Sequence, residues 1–266
     1  MTLFVAGLGL IAVAAALYYV SRWNTRLAMA AATAELTTIG DLRNLYQRVS
    51  SEVGEGVFRQ QIGLHGRIEC DQPLKSELGG TACVAYRTRV ERRWEEQVDV
   101  RDSDGKVRHE THSGSDVVAS NERRVEFWLN DGSDRIPVNP EGARIDMEKV
   151  IDRFEPGDPG GLVRFGGFQL ILAGGVPGRR RTLGYHYRED VLAVDRIVYV
   201  LGAADDANGT LGIAGIRDGS WPFVISRKSR AELVTSAKQT AAYTLYAACV
   251  CAPLGLVLVL VGLLRR

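Results

Sequence analysis

Two stretches without a single charged side chain, one at each end, constrain this chain more than any other feature. Residues 1–20 and 241–264 contain no Asp, Glu, Lys or Arg. The first apolar run, Leu3 to Val20, has 18 residues. At ~1.5 Å per residue it reaches roughly 27 Å, about one hydrocarbon core. Tyr18, Tyr19 and Trp23 end it, where amphipathic rings favour the headgroup layer. The second run, Ala241 to Leu264, has 24 residues and contains Pro253, so it spans with tilt or a kink. Lipid offers no partner to an unpaired backbone group, so both runs are expected as helices. Met1-Thr2 supplies no basic n-region, which favours a retained helix over a cleaved signal peptide.

Two spans put both termini on one side and residues 21–240 on the other. The whole chain has 33 basic and 32 acidic side chains. Without Arg265 and Arg266 the middle holds 31 and 32, a net of −1. That balance excludes a strongly basic nucleic-acid binder, and no nucleic-acid partner is expected. Arg22, Arg26, Arg227, Lys228, Arg230 and Lys238 flank the spans on the domain side, against two arginines in the tail. The positive-inside bias then places the middle domain in the cytoplasm, in an integral membrane protein with two helices.

Within the middle, Leu36, Ile39, Leu42, Leu45, Tyr46 and Val49 recur at helical spacing over residues 34–53, and Gly54 and Gly56 end the pattern. This amphipathic helix is expected to pack on the domain, because its mixed charge suits a lipid surface poorly. From Val57 to Ser226 the pattern becomes alternating, with turns at Asp102 to Gly105, Asn130 to Gly132 and Val194-Asp195. The fold expected is α+β: two transmembrane helices flanking a mainly antiparallel β domain with an N-terminal amphipathic helix. Residues 156–181, rich in Gly and Pro, read as a long loop or an insertion with a short apolar element at Phe168 to Ala173.

Catalytic motifs are weak. Gly178 is followed by Arg179-Arg180-Arg181-Thr182, which lacks the Lys of a phosphate loop. Those arginines could touch lipid headgroups, although a solvated basic loop is the commoner reading. His109 and His112 form an HxxH pair without further ligands at metal-site spacing. No GxSxG occurs. No catalytic residue, metal or cofactor is expected. Cys70 and Cys83, the cysteines of the soluble part, form a disulfide in an oxidising compartment or remain thiols in the cytoplasm.

Other residues carry a resemblance. They are Gly66-Arg67-Ile68 with Cys70, Pro73 to Ser76, and Cys83 to Tyr86 leading to Glu91. Asp131-Gly132-Ser133 to Pro137-Val138, Tyr187-Arg188-Glu189 with Val191-Leu192, Arg196 to Gly202, and Trp221 to Ser226 follow. Together they resemble the GIDE, or BAM ("beside a membrane"), domain over residues 36–226. That domain is the middle region of organellar outer-membrane E3 ubiquitin ligases and occurs in prokaryotic membrane proteins. Those ligases carry a RING finger after the second span. Here the chain stops at Arg266 and RING zinc ligands are absent, so ligase chemistry is not expected to carry over.

The resemblance implies a membrane-tethered module that binds a protein partner near the bilayer. Alternatives are a component of a protein-modification pathway whose RING comes from a partner, and an envelope-stress or transport-assembly subunit. Gly7, Gly9, Ala12 and Ala14 to Ala16 would permit homo-oligomer contact in the first span. Candidate binding residues are Glu91, Glu189, Arg188, Arg179, Arg180 and Arg181. A carboxylate in strand material is costly to bury unpaired. Arg87, Arg89 or Arg188 is the expected structural partner of Glu91 or Glu189.

Overall fold

The computed structural model describes residues 2–101, 107–157, 161–165, 168–172, 180–207, 209–216 and 221–264. Helix α1 (Thr2–Thr33) leads through β1 (Glu35–Leu36) to α2 (Ile39–Val53). Strands β2 (Arg59–Glu69), β3 (Leu74–Lys75), β4 (Ala82–Arg101) and β5 (Val107–Arg124) follow. Next come β6 (Phe127–Asn130), β7 (Arg135–Val138), β8 (Arg144–Ile145), β9 (Glu148–Pro156), β10 (Gly161–Phe165) and β11 (Phe168–Leu172). Strands β12 (Arg180–Ala193), β13 (Ile197–Asp205), β14 (Gly212–Ala214) and β15 (Val224–Ser226) precede helix α3 (Arg230–Leu264). The chain is α+β with a helix that is long and apolar at each terminus.

Both terminal helices outrun their apolar cores. α1 has 32 residues and α3 has 35, about 50 Å each, against roughly 30 Å of hydrocarbon. The excess forms a pair of stems, Arg22–Thr33 and Arg230–Lys238. Close approach of the two helices depends on glycine. A Cβ on Gly7 would lie 2.8 Å from the Gly255 carbonyl oxygen, and one on Gly255 would lie 2.9 Å from that of Gly7. Ser21 Oγ donates 2.9 Å across to the Ala241 carbonyl. At the top, Arg230 Nε donates 2.6 Å to the Ala31 carbonyl and Nη2 donates to that of Ala32. The first turn of α3 thus satisfies carbonyls that the end of α1 leaves open. Ser229 and Glu232 cap α3 reciprocally, through Ser229 N to Glu232 Oε2 (2.9 Å) and Glu232 N to Ser229 Oγ (3.3 Å).

The first sheet closes on itself. β2 pairs with both β6 and β13, so β2-β6-β7-β14-β13 form a ring, flanked by β1, β15 and β8. Most pairs are antiparallel, with short parallel contacts at β1–β2, β7–β14 and β8–β15. The interior holds Ile62, Leu64, Ile68, Leu129, Ile136, Val198 and Val200. Helix α2 covers it with Ile39 and Leu42, and with Leu45, Tyr46 and Val49 at the edge. Its amino end is held by the β6–β7 turn, where Asp131 accepts the Ile39 amide at 2.7 Å and Ser133 accepts that of Gly40 at 3.0 Å. Burial raises the Asp131 pKa, but bonds from Ser133 and the Ile39 amide outweigh it and leave the carboxyl below its ordinary range.

Strand β13 is buried on both faces. Successive side chains alternate. Val198 and Val200 enter the ring core, while Tyr199 and Leu201 turn outward and meet the stems. There they join Val224 of β15, Leu27, Ala28, Ala30, Ala31 and Ala34, and Leu233 and Ala237. At roughly 1.5–3 kcal/mol per large buried side chain, this contact seats the domain on the helices. A second sheet, β5-β4-β12-β9 with β3 beside the start of β4, packs alongside. Arg180 opens β12 opposite Glu96, so beyond that point β4 and β5 run on as a two-stranded ribbon to Arg101 and Val107.

Of the two readings of the Gly-rich segment, the insertion with a short apolar element fits, since β11 (Phe168–Leu172) falls on that element. The segment's described parts form the β10–β11 hairpin and the start of β12. The turn expected at Asp102 to Gly105 lies outside the described residues. Tyr199 gives the test of the seating. Its hydroxyl is buried and has no hydrogen-bond partner among the described residues, and burial pushes its pKa up. Tyr199→Phe should leave thermal stability unchanged or raise it by about 1 kcal/mol. Tyr199→Ala should lower it by ~3–5 kcal/mol, both read from unfolding curves of the detergent-solubilised chain.

Candidate functional site

The period of two in a strand separates the predicted residues. Glu189 lies opposite Thr88 on one face of the second sheet, while Arg188 lies opposite Arg89 on the other. Glu189 is fully buried. It accepts Ser76 Oγ at 2.8 Å, the Leu78 amide at 2.7 Å, the Gly79 amide at 2.8 Å and Thr88 Oγ1 at 3.2 Å. The arginine pairing expected for Glu91 or Glu189 therefore falls to Glu91: alternation turns Arg87, Arg89 and Arg188 away from Glu189, and amides and hydroxyls compensate its charge. Glu189 pins the Ser76–Gly79 turn to the sheet. Asp206, also buried, does the same for the entry to β2 by accepting the Gly56 and Phe58 amides.

The opposite face carries an ionic cluster. Arg89 Nε is 2.8 Å from Glu91 Oε1, and Arg188 Nη1 is 3.7 Å from the same oxygen. Arg188 Nη2 donates to His186 Nδ1 at 3.2 Å, and His186 Nε2 bonds Asp152. A guanidinium only donates, so Nδ1 accepts and Nε2 carries the proton given to Asp152. Lys149, and then His186, hold the Asp152 carboxyl down at about 2. A His–Asp dyad is half of a nucleophilic triad. No Ser or Cys, however, hydrogen-bonds either ring nitrogen among the described residues. In the sequence His186 stands alone, because its pairing with Asp152 comes from the register of β9 on β12 and not from spacing along one strand.

The arginine run is absorbed differently. Arg180 Nε reaches Glu96 at 2.8 Å and its guanidinium sits 4.2 Å over the Trp94 ring. Arg181 Nε reaches Glu95 at 3.1 Å. Both are strand residues paired with β4, not a free basic loop. Arg179 lies outside the described residues. Cys70 and Cys83 are free thiols, Cys70 half-buried and Cys83 fully buried, so the disulfide alternative is not realised. Burial, with Glu189 nearby, pushes the Cys83 thiol up to about 11. His109 and His112 lie on β5, three residues apart and so on opposite faces. Among the described residues no three His, Cys, Asp or Glu side chains converge as metal ligands.

At the stems the two sheets leave a cleft of about 620 Å³. Tyr19 and Trp23 of α1, Arg87 and Asp190 of the second sheet, Arg144 of β8 and Lys228 line it. Arg87 pairs with Glu122 at 2.8 Å. From Arg87 and Asp190 the same strand face carries Arg89 and Arg188, then Glu91 and His186, so the ionic cluster is continuous with the cleft.

This geometry defines a β-rich domain clamped between two helices long and apolar enough to cross a bilayer. The chain matches the model of the GIDE family, described as E3 ubiquitin ligase, over residues 95–261. That is more than half of the chain, and the chain belongs to the GIDE family. The match takes in Tyr187 to Leu192, Trp221 to Ser226 and most of α3, while the motifs from Gly66 to Glu91 lie outside it. No curated protein and no solved structure matches the chain.

Glu189→Ala should destabilise the domain by ~2–4 kcal/mol, because it strands two amides in the interior. Glu189→Gln should recover only part of this, since its NH₂ cannot accept. Both are read as shifts of the unfolding midpoint.

Proposed function

We propose that this chain is a two-span membrane protein whose GIDE domain is a docking module for a protein partner at the cytoplasmic surface. The observation that carries this reading is the seating of β13 and β15 on the stems. It holds a charged strand face, from Arg87 to His186, at a set distance from the ends of the apolar runs. The face is pre-organised by Arg89–Glu91 and by the Arg188–His186–Asp152 chain, which lowers the ordering cost of binding. Partner specificity would come from complementary charge. Cations on the domain side of both runs support a cytoplasmic domain.

A photo-crosslinking residue placed at Arg89 or Arg188 in native membranes should give one discrete adduct. The same residue at Val53, exposed on α2, which packs on the first sheet, should give none. Absence of any adduct at Arg89 and Arg188 would contradict docking on this face. The family description favours a second reading, in which the partner supplies the RING of a protein-modification pathway. An adduct identified as a RING-bearing or E2-like protein selects that reading. For sidedness, a membrane-impermeant maleimide should label half-buried Cys70 only after the membrane is permeabilised. Labelling of intact cells would reverse the orientation.

A further inference from the structure

Beyond Arg87 and Asp190, which belong to the docking face, the cleft at the stems has a lining that partner docking does not use. Its walls cross the boundary between the apolar and charged parts of both helices: Tyr19, Val20 and Trp23 on α1, and Ala237 and Thr240 on α3. A ligand there sits at the headgroup level of a bilayer that the helices span. Most charges in the lining are compensated. Arg87 pairs with Glu122 and stands beside Asp190, and Asp146 faces Arg227 at 3.6 Å. Arg144 and Lys228 are exposed, and among the described residues neither has a carboxylate within 4.0 Å, although Lys228 is near enough to Glu232 to lower the pKa of that carboxyl. Arg144 stands where this cleft meets a second one of about 1030 Å³, and Trp23 lines both.

A third feature tells what kind of phosphate the cations would meet. A shallow groove on α1, formed by Ala15, Tyr18, Tyr19, Arg22, Trp23 and Arg26, shares Tyr19 and Trp23 with the cleft. It descends from the headgroup level into the apolar run at Ala15. An acyl chain can follow that path, and a free phosphate has no use for it. Basic pockets beside membrane helices are suited to anionic headgroups. We infer that this cleft binds the phosphate of an anionic phospholipid between Arg144 and Lys228, with one acyl chain laid along the Tyr19–Ala15 side of α1.

The inference rests on the two-span reading, and the experiment separates the two. The full-length chain is reconstituted in nanodiscs of equal parts phosphatidylglycerol and phosphatidylcholine. Lipids retained on the released protein are counted by native mass spectrometry. The wild type should retain the anionic lipid preferentially, and each of Arg144→Ala and Lys228→Ala should cut that preference about fivefold. Arg144→Lys with Lys228→Arg should keep it, as should Arg48→Ala on α2, and millimolar inorganic phosphate should not displace it. An unchanged preference in the double alanine variant would overturn the site. An equal loss in Arg48→Ala would overturn it in favour of diffuse charge, and displacement by phosphate alone would overturn the lipid assignment. Release of the wild type from membranes by alkaline carbonate would instead defeat the two-span reading itself.

Discussion

The outward half of one strand carries the architecture. β13 spends its even-numbered residues on the ring core and its odd-numbered residues Tyr199 and Leu201 on the helical stems. A strand with one polar face would leave the domain tethered by a loop and free to turn. Burial of both faces makes helices and sheet one packed body. The Arg230 bonds to the end of α1 close the same junction from the polar side, and the glycine contacts hold the helix pair together below it. The charged strand face and the cleft take their positions from this junction.

Charge placement follows from strand alternation more than from sequence proximity. Glu189 and Arg188 are neighbours in the chain, yet one is a buried pin and the other part of a half-buried ionic cluster on the opposite face. The buried acid needs no cation because backbone amides and hydroxyls aim at it, the arrangement that keeps a buried charge tolerable. The other cluster is only partly open to solvent: Glu91 and His186 are largely covered, while Arg89, Arg188 and Asp152 reach water, where such pairs contribute little to stability. That leaves its geometry available for recognition.

The terminal helices, the amphipathic α2 and the β character of the middle were legible because each rests on a period or a run within one segment. The apolar run Ile197 to Leu201 also signalled a strand, but nothing local says that its second face would be covered by stems some 170 residues earlier and 30 later in the chain. The same limit applies to the charged groups. His186, Asp152 and Arg188 come from two strands joined by register, and Arg144 and Lys228 line one cleft from β8 and from the lead to α3. The arginine run at 179–181 looked like a patch because its partners, Glu95 and Glu96, lie far away in sequence on β4.

With β13 and β15 seated on the stems, helices and domain should move as one body in a bilayer. Distances between spin labels at Met29 on the α1 stem and Val150 on β9, both exposed, test it most directly in a cysteine-free chain reconstituted in nanodiscs. Pulsed electron spin resonance should return a single narrow distribution that does not change between detergent and lipid. A broad distribution, or one that shifts with the surrounding lipid, would mean that the domain swings on its helices and that the account is wrong.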